Sequence, residues 1–555
     1  DMRIRLNTFL GQLPKLNDYA LPESNAVSAV NCDLSDGFVR PLASVTDTGT
    51  TLALTGHYVA SIFKWDVGSN SYWFRFQDVV SIIRSPIADD AYSRVYWSGD
   101  SRSGGDVLYT YNPAAYTGGT EYPVNYYKLG IPKPTVALTA VASGTPPENP
   151  NDEQRFYVYT YVDKMGAESP PSPPSNAVIV ANTGATVALS GITLDSGAST
   201  GREIEKIYIY RTLVGTSANN AEFLFVAEIT SATTSYSDSV DAADLGEALP
   251  SVTWYPPRTG MQGLIVTAYR VAAGFYGNII CLSEINRPYA WPRGYELTTM
   301  SDIVALGHYD AYIIAATKSR PVTLTGIDPS SMSQMELPIV EACVSPRSMV
   351  SMGYCAVYAS PNGLVMASGG TAALVTESII GWRQWADLNP SSIHAYQHRN
   401  RYLFFWKVDE THKGAYFFNP SRPEEGFIAL DHWFPAGYRD PLTDTLYLID
   451  ESKKLWTLSD TSDTPEPFTW KSKQVMLPRP GMMVAGRILA DDYTDIHVKV
   501  YADGILHHER DVTDDAPFSM PRAMRRRNWQ VEVTCSKGAV REVAIAETRN
   551  EIGSP

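Results

Sequence analysis

Four arginines, Arg522, Arg525, Arg526 and Arg527, stand together immediately before an alternating stretch at Asn528–Val533. Guanidinium groups meet phosphate or carboxylate through parallel N–H bonds, so this cluster is the chain's candidate contact to nucleic-acid phosphate or to an acidic partner protein. The same charges also serve a plainer purpose at a hairpin edge, where they discourage pairing with a foreign strand. Three other groupings have residue types suited to catalysis or metal binding. Gly197–Gly201 reads G-A-S-T-G, the spacing of a nucleophile elbow, but an elbow needs a strand before it and a helix after it, and here the period-2 run to Arg211 follows. A loop between strands is expected there. His507-His508-Glu509 has no third ligand spaced nearby, and neighbours on a strand point to opposite faces, so solvent-facing histidines are expected. Asp89-Asp90 and Asp491-Asp492 lie in apparent turns, where carboxylates commonly accept from backbone N–H groups. The chain has no GxxxxGK[ST], HExxH or EF-hand loop, and no Ser-x-Asp-x-Gly-x-x-Trp hairpin of the sialidase-like propellers. No catalytic, metal-binding or cofactor-binding residue is assigned, and the expectation is a protein that is not an enzyme and needs no cofactor.

Whatever these residues do, the elements that position them are strands. Among 555 residues there are 39 Gly and 37 Pro, punctuation too dense for long helices, while 44% hydrophobic and 11% aromatic content is ample for several cores. The formal charge of −15 argues against tight, sequence-specific duplex binding, which needs Lys and Arg to neutralise phosphate. Five scattered cysteines (Cys32, Cys281, Cys343, Cys355, Cys535) form no zinc-type spacing and read as buried free thiols of a reducing cytoplasm. No signal-type apolar stretch opens the sequence and no 18-residue apolar run occurs, so no transmembrane helix is expected.

Residues 1–130 read as consecutive antiparallel hairpins, such as Tyr58–Trp65 with Tyr72–Phe76, and form the first part of a β-propeller or platform. Ile131-Pro132-Lys133-Pro134 marks a boundary. Residues 131–253 then carry strict alternation at Tyr157, Tyr159 and Tyr161, a proline-rich stop, and the strands Ile204–Arg211 and Phe223–Ile229. This pattern, without the Cys…Trp…Cys of true immunoglobulin domains, predicts an inserted fibronectin type III-like β-sandwich. Residues 254–478 resume the hairpins, with a Pro/Asn/Gly turn at Ser360–Gly363 and a short loop at Asp450–Lys453, and complete the propeller. Residues 479–555 form a small C-terminal β-domain. The fold class is thus all-β: a propeller with an inserted immunoglobulin/fibronectin III-like sandwich.

The opening Phe9-Leu10-Gly11, Pro14, Leu21-Pro22, Asn31-Cys32 and Pro41-Leu42, the middle stretches YTYVDKMGAESPPSPPS and FLFVAEITSATTSYSDSV, Lys318–Val365, and the ending LPRPGMMVAGRILA…WQVEVTCSKGAVREVAIAET carry a family likeness. The chain resembles the tail nozzle, or tail tubular protein B (packaged-DNA stabilisation), family of short-tailed bacteriophages. The resemblance implies a virion tail protein made in the host cytoplasm. It implies a homohexamer below the tail adaptor (the head-to-tail connector), which retains genomic dsDNA, conducts it through an acidic channel without holding it, and docks fibres or spikes. The alternative is a receptor-binding or carbohydrate-active propeller of the tail.

Overall fold

The computed structural model describes residues 2–553 except 43, 53, 55, 56, 113, 115–122, 144–152, 181–185, 214–221, 460–464 and 523. The chain is all-β, and its recurring element is the four-stranded antiparallel meander of a propeller blade, built from strands consecutive in sequence. Val350–Ser351, Ala356–Ser360, Gly363–Ser368 and Thr371–Leu374 make one such blade, with Ala356, Val357, Tyr358 and Ala359 all fully buried. Its central hairpin turns through Pro361-Asn362, as the Pro/Asn/Gly signal predicts. Gly363 is required there: a Cβ would lie 2.3 Å from Thr376 Oγ1. The Asp450–Lys453 loop turns as expected too, with Asp450 Oδ1 accepting the Lys454 N–H at 2.9 Å.

The chain divides into two compact units, residues 1–77, 304–324 and 335–555 in one, and 78–303 with 325–334 in the other. The second unit holds the blades Ser81–Arg84/Val95–Ser98/Leu108–Thr110/Tyr127–Lys128 and Gln262–Val266/Ala272–Tyr276/Ile279–Leu282/Leu297–Thr298. Between them in sequence comes the β-sandwich. Its two three-stranded sheets are Thr139–Ala142/Val187–Ser190/Ser235–Asp238 and Tyr157–Asp163/Ile204–Thr212/Phe223–Thr230. The alternation read from the sequence holds: Tyr157, Tyr159 and Tyr161 point into one core with Val187, Leu189, Ile207 and Ile209. An ion pair lies fully buried here, Arg211 to Asp238 at 2.5 Å, and the Tyr157 hydroxyl donates to the same carboxylate at 2.8 Å.

The prolines do more than stop the Tyr157–Asp163 strand. After the turn at 164–166 the chain runs back as Ser-Pro-Pro-Ser-Pro-Pro-Ser along the strand it has just left. Ser169, Ser172 and Ser175 each donate a backbone N–H to the carbonyls of Tyr161, Tyr159 and Tyr157, all at 2.9 Å. Each serine hydroxyl also accepts the N–H of the same tyrosine, at 2.9, 3.1 and 3.0 Å. Proline cannot donate to a ladder, so the ribbon covers the strand's edge while offering few N–H groups of its own.

In the first unit the strands do not follow sequence order. An eleven-stranded sheet joins the blade His394–His398/Arg401–Lys407/Lys413–Phe418/Ile428–Leu430 through Asn25–Val30 and Phe468–Ser472 to Arg526–Cys535, Ile496–Ala502 and Ile505–Val512. Leu10–Gln12 and Ile428–Leu430 both pair with Asn25–Val30 in parallel, which corrects the expectation of antiparallel hairpins throughout residues 1–130. Ser44–Thr51 supplies the fourth strand to Ala436–Asp440/Thr445–Ile449/Lys454–Ser459, and Arg3–Leu6 pairs with Val540–Ala546. Hydrophobic alternation tells which face of a strand is buried but is silent on its partner, so these pairings carry no local signal.

Candidate functional site

Arg526 and Arg527 open the strand Arg526–Cys535, and Arg522 and Arg525 lie exposed on the segment that leads into it. The structure adds a fifth arginine. The strand Val475–Gly481 pairs beside the same end, with Met476 opposite Asn528 and Gly481 opposite Arg526, and the register slips between those points. Pro478-Arg479-Pro480 lies in the slip, where missing N–H groups cost no ladder bond, and brings exposed Arg479 alongside. On the other side, Ala502 pairs with Trp529 and turns through Asp503-Gly504 to Ile505. Trp529 is buried beneath and donates its indole N–H to the Arg526 carbonyl at 3.3 Å.

Few carboxylates answer these charges. Arg526 lies 3.5 Å from Asp503, and Arg527 Nε donates to the Leu477 carbonyl at 3.3 Å. Among the described residues Arg479, Arg522 and Arg525 make no ion pair. Four large apolar side chains share this end of the sheet and face solvent: Met476 is 58% exposed, Ile505 66%, Leu506 45% and Met524 77%. Sequence reasoning found the four clustered arginines but missed Arg479 and the apolar members. The LPRPG stretch marks a boundary and belongs to the ending that carries the family likeness, while its register beside Arg526 is a tertiary fact.

A second concentration of charge lines a cleft of about 970 Å³ in the first unit. It draws Arg40, Arg399, Arg401, Arg422 and Lys537 from segments far apart in sequence, facing Asp33, Glu425 and Asp491. Here three of the arginines are neutralised locally. Arg401 pairs with Asp33, Arg40 with Asp36 at 2.9 Å, and Arg422 with Glu425 at 3.3 Å. Burial works against the Asp33 charge, but Arg401 and the Ser35 hydrogen bonds outweigh it and hold this carboxyl below its ordinary range. Burial, together with Arg401 and Arg399, pushes His398 down to about 4, so it is neutral at neutral pH. In the cleft Arg40, Arg401 and Arg422 each hold a carboxylate partner, whereas on the platform Arg526 does and, among the described residues, Arg479, Arg522 and Arg525 do not.

The remaining flagged groups are structural. Of Gly197–Gly201, the first three residues lie in a helical turn, Ser196–Ser199, within the stretch expected to be a loop. Within its unit it docks the sandwich on a blade: the Gly201 carbonyl accepts the Lys128 N–H at 2.8 Å, and Arg202 Nε donates to the Gly130 carbonyl at 2.5 Å. Ser199 donates only to the Ser196 carbonyl, so no base activates it. His507 and His508 are half-buried, which corrects the expectation that they face solvent. The register slips between Val500–His508 and Tyr501–Leu506, leaving His507 as a bulge residue whose ring stands edge-on to Trp529 at 5.3 Å, while His508 lies 6.2 Å from Phe518. Burial lowers both imidazoles. Asp90 accepts the Tyr92 N–H at 3.1 Å and pairs with Arg94 at 2.7 Å, and Asp492 accepts the Thr494 N–H at 2.8 Å, as turn carboxylates do.

All five cysteines are buried free thiols, as expected, and burial pushes Cys355 and Cys535 up to about 11. Among the described residues no group of three metal-ligating side chains could hold a metal ion, and no helix is long and apolar enough to cross a membrane. Burial pushes the Asp163 carboxyl up to about 6 although the Met165 and Ala167 N–H groups donate to it at 2.9 and 2.8 Å.

No protein-family model matches the chain, and no curated protein matches it. Solved structures with some likeness include the WD40 domain of Neurospora crassa Pan2 (10% identity, 59% of this chain and 95% of that one, TM-score 0.24). BBS1N in complex with ARL6DN is another (11%, 68% and 91%, TM-score 0.27), and so is an exo-β-1,3-galactanase from Phanerochaete chrysosporium (7%, 91% and 99%, TM-score 0.18). At these scores the likenesses carry no argument about activity, and the blade architecture rests on the chain's own strand order.

Proposed function

We propose that this chain is a structural, non-enzymatic protein of a short-tailed bacteriophage tail: the distal nozzle, assembled as a homohexamer on the tail adaptor. It retains packaged DNA, conducts it during ejection, and carries fibres or spikes. The observation that supports this reading best is architectural. A β-sandwich lies between blade meanders in the sequence, and the terminal strands share sheets with both early and late segments, an arrangement that accords with the resemblance carried by Phe9–Leu42 and Lys318–Val365. Charge accords with it as well. Six copies of a chain at −15 carry −90, and a negative channel wall repels phosphate, so a duplex slides past it without sticking.

The test is electron microscopy and mass measurement of the purified chain mixed with its adaptor. A six-fold ring is expected, and a chain that stays monomeric on the assembled adaptor overturns the proposal. Release of reducing sugars from host-surface polysaccharide by the isolated chain would instead establish the carbohydrate-active alternative.

A further inference from the structure

We infer that the arginine platform at the end of the strand Arg526–Cys535 is a peripheral docking surface for a membrane rich in anionic phospholipid. The inference stands apart from the nozzle reading, since it rests only on this patch. Two observations have to be explained together. Arg479, Arg522, Arg525, Arg526 and Arg527 converge on one strand end, where among the described residues Asp503 is paired to Arg526 and Glu547 is engaged by the Met482 N–H at 3.1 Å. Met476, Met524, Ile505 and Leu506 stand out of the same end into solvent.

Each observation alone has several readings, but jointly they narrow the partner. A nucleic-acid backbone uses the guanidinium groups and gains nothing from protruding methionine and isoleucine. An acidic protein surface, at which Arg and Met are both common, is the competing occupant, and it predicts no binding to either kind of vesicle. Anionic headgroups over an acyl interior use both: arginines hold phosphate at the headgroup level while apolar side chains dip past it. Repulsion from the rest of this acidic chain is small at this spot. Glu509, Asp511, Asp514 and Asp515 lie toward or beyond the far end of the Ile505–Val512 strand, and residues five positions along a strand are roughly 17 Å apart, beyond one Debye length at physiological salt. The platform is also firm, because buried Trp529 and three adjoining strands fix its base.

The experiment is vesicle flotation of the full-length chain with phosphatidylcholine alone and with added phosphatidylglycerol. Flotation is expected only with phosphatidylglycerol, and the double variant Arg522→Glu/Arg525→Glu should weaken it about tenfold or more. Ile505→Ser/Met524→Ser leaves every charge in place and should weaken it several-fold. Since the native thiols are buried, Met524→Cys can be labelled with an environment-sensitive dye, whose emission should shift to the blue on phosphatidylglycerol vesicles. Equal behaviour on both vesicle types, unchanged flotation of the serine variant, or an unshifted dye overturns the inference. Retention of duplex DNA that depends on the arginines but ignores the serine substitutions, without vesicle binding, overturns it in favour of a nucleic-acid contact.

Discussion

Asp163 shows how a single residue departs from what its neighbours in sequence suggest. It caps the turn that follows it, accepting the Met165 and Ala167 N–H groups as a turn aspartate does, but burial at the strand end raises its carboxyl to about 6. Its folded value lies above the unfolded one, so the protein is favoured while Asp163 is protonated, and that contribution is lost as pH rises from about 4 through about 6. Asp163→Asn keeps an acceptor for the two N–H groups and removes the charge. It is expected to raise stability at pH 7 by up to about 3 kcal/mol, with little gain at pH 4, as read by urea unfolding across that range. An equal effect at both values would show that the carboxyl is not held protonated. The arginine cluster was legible because four of its members are adjacent. Its fifth member and its apolar rim were not, since Arg479 and Ile505 reach it through pairing that local pattern does not encode.

Among the elements, the serine–proline ribbon best separates what pattern reveals from what packing adds. Proline content announced a break after the tyrosine strand, and the break is real. That the ribbon returns and ties itself to that strand depends on serines at every third position meeting alternate strand residues. Replacing Ser172 by Ala leaves its backbone bond but strips an acceptor from the buried Tyr159 N–H, a loss of about 1–2 kcal/mol. The alanine variant at Ser169, Ser172 and Ser175 together is therefore expected to speed amide exchange in the 157–161 strand by at least about tenfold, measured by mass spectrometry, while the blades keep their protection. Uniform acceleration throughout the chain would contradict a local role. The bulge at His507 is the opposite case: both histidines were expected to face solvent, and with one extra residue in the ladder the His507 ring packs edge-on to Trp529.

At the scale of the whole molecule, the fold class followed from turn density and alternation, while the joining of distant segments did not. Arg3–Leu6 pairs with Val540–Ala546 and buries Ile4 and Leu6, and Arg5 holds the buried Glu542 at 2.7 Å together with Arg487 at 3.2 Å. Removing residues 2–6 is expected to cost the first unit about 3–5 kcal/mol, from the two apolar side chains alone, and to lower its calorimetric transition. An unshifted transition would mean the strand is an ornament of the sheet. The same pairing sets a timetable for biosynthesis. A ribosome adding roughly 5–20 residues per second needs about half a minute to two minutes to travel from residue 6 to residue 540, and for all of that interval the first strand waits without its mate. The nascent chain must therefore be shielded, by a chaperone or by its own earlier hairpins, until its last strand leaves the exit tunnel.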